Sequence, residues 1–166
     1  LIYYENKNID KSIHFFTLAA IQNHINAQYC LGFIYCENKK IEKSIHFLTL
    51  AANQNHKDAE YCLGVIYYEE EYSLVDINKA IHYFTLAANK QHPEANFYLG
   101  KIYYEDINKA IKYFSNAANL NHINAQYNLG LIYFEDKYIK RDINKSINYF
   151  LMAAKQNDSR SQNCLG

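Results

Sequence analysis

Seven histidines and four cysteines are the side chains in this 166-residue chain best able to hold a metal or to work as a base and a nucleophile. A zinc site needs about four such groups converging within roughly 2.0–2.3 Å of one ion. A catalytic pair needs its nucleophile set beside a base that stands apart from its surroundings. The spacing points elsewhere. His14, His46 and His82 recur in one slot of a repeating pattern, and His24, His56, His92 and His122 in another. Cys30, Cys62 and Cys164 share a third slot, with Cys36 apart from them. A residue that returns at a fixed slot travels along the chain with its repeat, so these histidines read as outer-face or turn positions. No single repeat shows a pocket residue of its own. The expectation is a non-enzyme with no catalytic residue, no metal and no cofactor.

The elements that carry these residues are written around one phrase, AQYNLGLIY at Ala125–Tyr133. It returns as AQYCLGFIY from Ala27, AEYCLGVIY from Ala59, ANFYLGKIY from Ala95 and a short SQNCLG ending at Gly166. All five glycines, Gly32, Gly64, Gly100, Gly130 and Gly166, sit in its Leu-Gly slot, each twelve residues after an Ala-Ala pair. Fixed internal offsets mark a repeat protein. Cutting after each glycine gives units 1–32, 33–64, 65–100, 101–130 and 131–166. Each holds two amphipathic segments with one apolar face at helical spacing. Helix A carries the glycine phrase; helix B is exemplified by Asp76–Asn89, with Ala80, Phe84 and Ala87 on one face. Asp76, Asp106 and Asp142 are predicted N-caps of B helices, and Pro93 suits a first helical turn. Short polar links make each A–B pair an antiparallel hairpin.

A glycine inside a helix costs about 0.5–1 kcal/mol relative to alanine. Accepting that cost at one slot five times predicts a close approach of helix A to helix B there. The gap from each glycine to the next B helix is the one place where repeat length varies. Tyr72–Val75 and Lys137–Arg141 are therefore expected to project as loops.

Seventeen basic residues balance seventeen acidic ones, so the net charge is zero. That disfavours nucleic acid, which selects a clustered basic excess. No apolar run reaches the roughly 18 residues of a membrane span. Equivalent cysteines in stacked repeats lie about one helix diameter apart, roughly 10 Å, too far to bond. Reduced thiols and a cytoplasmic setting follow. Leu1–Glu5 reads like the residues after a Leu-Gly, so the chain is taken as five units of a longer array forming a single solenoid over residues 1–166.

A-x-x-x-L-G-x-x-Y at Ala125–Tyr133 and D-x-x-K-A-x-x-Y-F-x-x-A-A at Asp76–Ala88 resemble the Sel-one-like repeat family, relatives of the tetratricopeptide repeat. The resemblance covers the whole chain. It implies an all-α hairpin solenoid, a right-handed superhelix, serving as an interaction scaffold or adaptor. The family's Gly-x-Gly-Val loop is missing here, replaced in the longer units by Glu70–Ser73 and Asp136–Ile139. No cysteine falls in a B helix, so the disulfide-stapled secreted branch and its β-lactam chemistry do not carry over. In related superhelices the concave face is lined three before, one after and four after the glycine. Here that implies Tyr29, Phe33 and Cys36; Tyr61, Val65 and Tyr68; Phe97, Lys101 and Tyr104; and Tyr127, Leu131 and Phe134. Glu37, Glu69, Glu105 and Glu135 follow at the rim. Such a tyrosine-rich groove suits a peptide or helix with apolar anchors and basic flanks, while the tyrosines three before each glycine serve equally well as packing. The resemblance also admits a recruiting arm of a signalling enzyme such as a protein kinase, or an adaptor in endoplasmic-reticulum quality control.

Overall fold

The computed structural model describes residues 9–137 and 139–166, with side chains from residue 11 onward. The expectation for Leu1–Glu5, and Tyr138, lie outside the described residues. The described part contains ten α-helices and no strand. They are α1 Ile9–Ile21, α2 Ile25–Glu37, α3 Ile41–Ala52, α4 Lys57–Tyr68, α5 Ile77–Asn89, α6 Pro93–Ile102, α7 Ile107–Asn119, α8 Ile123–Phe134, α9 Ile143–Ala154 and α10 Ser159–Leu165. Even-numbered helices carry the glycine phrase; odd-numbered ones are B helices. The chain divides into two compact units, Leu1–Ala87 and Ala88–Gly166.

In the first unit, Leu48, Ala51, Ala52, Ala59, Leu63 and Ile66 make a continuous core between α3 and α4, with a smaller cluster of Ala20, Ala27 and Leu31 between α1 and α2. In the second unit, Ala110, Phe114, Ala117, Ala118, Ala125, Leu129 and Ile132 join α7 to α8. Each large aliphatic or aromatic side chain so buried contributes about 1.5–3 kcal/mol relative to exposure. A single hairpin could not bury both its faces, so within each unit the hairpins stack.

The glycine slot has the steric cause the spacing predicts. A Cβ placed on Gly64 would lie 2.5 Å from Phe84 Cδ1, and one on Gly100 2.5 Å from Phe114 Cδ1. At Gly130 it would meet Phe150, and at Gly32 it would lie 2.7 Å from Leu48 Cγ. One large B-helix side chain thus rests on the bare backbone of helix A in each of these hairpins. Where the B helix carries serine, the contact gains a hydrogen bond: Ser44 Oγ donates to Gly32 O and Ser146 Oγ to Gly130 O, both at 2.8 Å.

Both kinds of link are locally encoded. Asp76, Asp106 and Asp142 accept from the amides of Lys79, Lys109 and Lys145 at 3.0, 3.3 and 3.0 Å, as their N-cap role predicts. Between a B helix and the next A helix, one residue turns into the left-handed region: Asn23, Asn55, Gln91, Asn121 or Asn157, with φ between 58° and 67°. Asparagine tolerates that conformation better than most residues, which accounts for its recurrence just before the histidine slot. The histidines themselves are N-caps. His56 Nδ1, His92 Nδ1 and His122 Nδ1 accept from the amides of Ala59, Ala95 and Ala125 at 3.3, 3.3 and 3.1 Å. Asp158 does the same for α10.

The loop expectation needs correcting at Tyr72. Glu70–Tyr72 forms one 3-10 turn and Ser73 is left-handed, which folds the segment back. Tyr72 is half-buried and packs on the Leu48–Leu63 core beside Cys36. Burial first, and then a hydrogen bond with the Cys36 thiol, push its phenol well above the ordinary tyrosine range. Ile139, in the other long segment, packs likewise on the α7–α8 core. A phenol or an aliphatic chain at these places finds apolar surface within reach, so the segments do not project at these residues.

Candidate functional site

The helix A residues singled out by their offset from the glycine fall into three groups. Those three before it, Tyr29, Tyr61, Phe97 and Tyr127, are half-buried. Tyr61, Phe97 and Tyr127 place their rings 6.1, 5.8 and 5.9 Å from Phe84, Phe114 and Phe150, the side chains resting on the glycines. Tyr29 stacks on the capping ring of His56 and Phe97 on that of His122, each at 4.5 Å. Arg160 lies over Tyr127 at 4.4 Å. Burial raises the Tyr29 phenol to about 12, helped by Cys62 and Asp58 nearby. Tyr29 therefore stays a neutral packing ring with a hydroxyl to offer at any physiological pH.

Four after the glycine, Tyr68 and Tyr104 meet the same rings edge-on, 6.2 Å from Phe84 and 6.4 Å from Phe114. Each of these two phenylalanines is thus flanked by two aromatics of its own hairpin, a geometry worth about 0.5–1.5 kcal/mol per pair beyond area burial. Cys36, at the same offset, is half-buried against the core, while Phe134 is 49% exposed under the Arg141 guanidinium, 4.6 Å away. One after the glycine, Phe33 is 38% exposed, Val65 and Leu131 are half-buried, and Lys101 is exposed with Nζ 5.0 Å from the Tyr98 ring. Within the first unit, Tyr29 and Phe33 come together at 6.3 Å. Glu37, Glu105 and Glu135 are exposed, and Glu69 is half-buried.

Among the described residues no group of three or more His, Cys, Asp or Glu side chains is placed to hold a metal. Burial raises the Cys62 thiol to about 12 and also raises Cys30, which removes their nucleophilic thiolate at neutral pH. His14, His46 and His82 lie on B helices, as their slot predicts. Among the described residues no helix is long and apolar enough to cross a membrane.

Three hairpins each pair a helix A tyrosine, three residues after the glycine, with a B-helix tyrosine. Tyr67 stacks on Tyr83, Tyr103 on Tyr113 and Tyr133 on Tyr149, at 5.9, 5.6 and 5.8 Å. Lys79, Lys109 and Lys145 lie over the first ring of each pair at 4.9, 5.2 and 5.0 Å. The paired Ile-Tyr and Tyr-Phe phrases carry that signal, but only the packed hairpin shows that the two tyrosines meet.

The model of the Sel1 repeat family matches five times, over residues 3–24, 25–56, 57–92, 93–122 and 123–158. The chain belongs to the Sel1 repeat family. From residue 25 onward the matched repeats run helix A then helix B, half a hairpin out of step with units cut at the glycines. Among solved structures, it is similar to c5321, a protective antigen of uropathogenic Escherichia coli strains with an SLR fold. Identity there is 27%, the TM-score 0.80, and the match covers 90% of this chain and 34% of that one. A Sel1 repeat protein from Oxalobacter formigenes matches at 25% identity and a TM-score of 0.82, covering 96% of this chain and 69% of that one. YrrB, described as a TPR protein with an unusual peptide-binding site, shares the fold at 19% identity and a TM-score of 0.60, with 96% and 84% covered. The chain spans about a third of the length of c5321. No curated protein matches. Repeats of this family generally mediate protein–protein interaction.

Proposed function

We propose that this chain is a non-catalytic adaptor that binds a partner peptide or helix along the helix A surface of each unit. In the first unit the surface comprises Tyr29, Phe33, Cys36, Tyr61, Val65 and Tyr68. In the second it comprises Phe97, Lys101, Tyr104, Tyr127, Leu131 and Phe134. The observation that carries the reading is the exposure of Phe33, 38%, beside half-buried Tyr29, and of Phe134, 49%, under the Arg141 guanidinium. Large aromatic side chains left in water beside aromatic neighbours are what interface anchors look like. Exposed carboxylates at Glu37, Glu105 and Glu135 favour Lys or Arg flanks in the partner. The four unpaired cysteines suit a reducing, cytoplasmic setting, and service in signalling assemblies is part of the same proposal.

Selection of a random peptide display library on the purified chain tests this. Enriched sequences should carry apolar anchors with basic flanks, and Phe33→Ser with Phe134→Ser should lose them at unchanged helicity. Enrichment of acidic sequences, or equal binding by the double variant, would refute the reading.

A further inference from the structure

At one place in the repeats four departures from the common pattern meet. In two hairpin pairs a buried glutamine of helix A and a second glutamine at the end of a B helix form a bridge. Gln28 Nε2 donates to Ala20 O at 3.4 Å, and Gln54 Nε2 donates to Gln28 Oε1 at 2.8 Å. Gln126 Nε2 donates to Ala118 O at 3.2 Å, and Gln156 Nε2 to Gln126 Oε1 at 2.9 Å. The bridge fills the space between successive hairpins with two carboxamides and satisfies the last carbonyl of the Ala-Ala pair.

The equivalent residues around α6 and α7 are Asn96 and Leu120. Asn96 is one methylene shorter; it is 2% exposed, and its amide turns back to His92 O at 3.0 Å. Leu120 has no amide to offer. Nearby, Asn116 stands where the other B helices have Leu18, Leu50, Leu86 and Met152. Gln91 stands at the left-handed turn position that is otherwise asparagine. A cleft of about 390 Å³ results, lined by Ala88, Gln91, Asn96, Asn116, Asn119 and Leu120.

We infer that this cleft binds a neutral primary carboxamide, the side chain of a glutamine or asparagine on a partner. Such a group supplies what the missing bridge does not. Its NH2 donates toward Ala88 O, which here carries the turn hydrogen bond from Gln91 N at 2.9 Å. Its carbonyl accepts from the carboxamides of Gln91, Asn116 or Asn119. The lining holds no charged side chain, so a carboxylate gains no counter-ion there and lacks the donor that Ala88 O would accept. The cleft shares no residue with the proposed helix A surface, so the two readings fail separately.

The test is a titration of the intact chain, followed by the side-chain amide resonances, with N-acetyl-glutamine methylamide. Saturable shifts are expected for Asn96, Asn116 and Asn119, with the glutamate analogue bound about tenfold more weakly because one donor is lost. Free glutamine, tested alongside, separates a small-molecule ligand from a residue inside a peptide. The double variant Asn96→Gln with Leu120→Gln rebuilds the bridge and should abolish the shifts. Asn116→Leu, which restores the residue other repeats fold with, is the second arm and should weaken them. Absence of saturable shifts in the native chain, equal binding of the glutamate analogue, or unchanged binding in both variants would overturn the inference.

Discussion

Hairpins α2–α3 and α6–α7 solve the same packing problem with different residues. In the first, Leu48 rests on Gly32 and Ser44 adds a hydrogen bond to the glycine carbonyl. In the second, Phe114 rests on Gly100, and Ala110 takes the serine's place without adding a bond. The α7 helix is capped by Asp106, whose carboxyl is held below the ordinary range by hydrogen bonds from Lys109. The α3 helix has Lys40 at its N-cap, which makes no side-chain cap hydrogen bond. The steric match at the glycine is therefore fixed and everything around it is interchangeable. A large side chain against bare backbone sets the distance between helices; caps and hydroxyls adjust stability afterwards.

The largest expected effect comes from removing the ring at that match. Phe114→Ala should cost about 3–5 kcal/mol in urea unfolding and Leu48→Ala about 2–5 kcal/mol. A loss under about 1 kcal/mol in either would break the shared-slot account. Filling the slot from the other side comes next. Gly100→Ala places a methyl against the Phe114 ring, an overpacking of about 1–3 kcal/mol, partly offset by the roughly 1 kcal/mol helix gain of alanine. In a Phe114→Leu background, which imitates the first hairpin, the residual penalty should shrink. A penalty that stays the same would mean the ring is not what the glycine accommodates.

Smaller effects separate the interchangeable parts. Asp106→Ala should lower the thermal midpoint, whereas Lys40→Asp, creating the cap that α3 lacks, should raise it. If both substitutions were neutral, the caps would not contribute. The histidine caps add a pH dependence. Burial, opposed by Glu94, holds His122 below its ordinary value of 6.5. The folded state thus prefers neutral imidazole, which can accept from Ala125 N; the imidazolium cannot. Stability from this group is fully present above pH 6.5 and falls as acid protonates the unfolded chain more readily than the folded one. His122→Asp, which copies the Asp158 cap of α10, should flatten the dependence of the thermal midpoint on pH in mild acid. An unchanged slope would assign the acid sensitivity elsewhere.

Much of this was legible from spacing alone because the repeat is written in coarse features. A glycine that recurs with an Ala-Ala pair at constant offset fixes the hairpin, and Asp76, Asp106 and Asp142 mark B-helix starts by their chemistry. The A-helix caps were less legible: histidine is an uncommon cap, and only the structure shows Nδ1 of His56 and His122 facing the amides of Ala59 and Ala125. Tyr72 escaped because a segment that lengthens one repeat looks like a projecting loop until the core it covers is known. The α6–α7 cleft escaped for another reason. Asn96 and Asn116 each look like mild substitutions, and it takes packed neighbouring helices to bring them around one space.

Recognition on helix A, and not on the B helices, is open to a direct crosslinking test. Placing a photoactivatable benzoyl-phenylalanine at Phe33 or Phe134, and separately at the B-helix positions His46 or Lys112, tests it in native extract. Recognition by helix A predicts that Phe33 and Phe134 trap the same protein and that His46 and Lys112 do not. Adducts formed at His46 and Lys112, with none at Phe33 or Phe134, would contradict it.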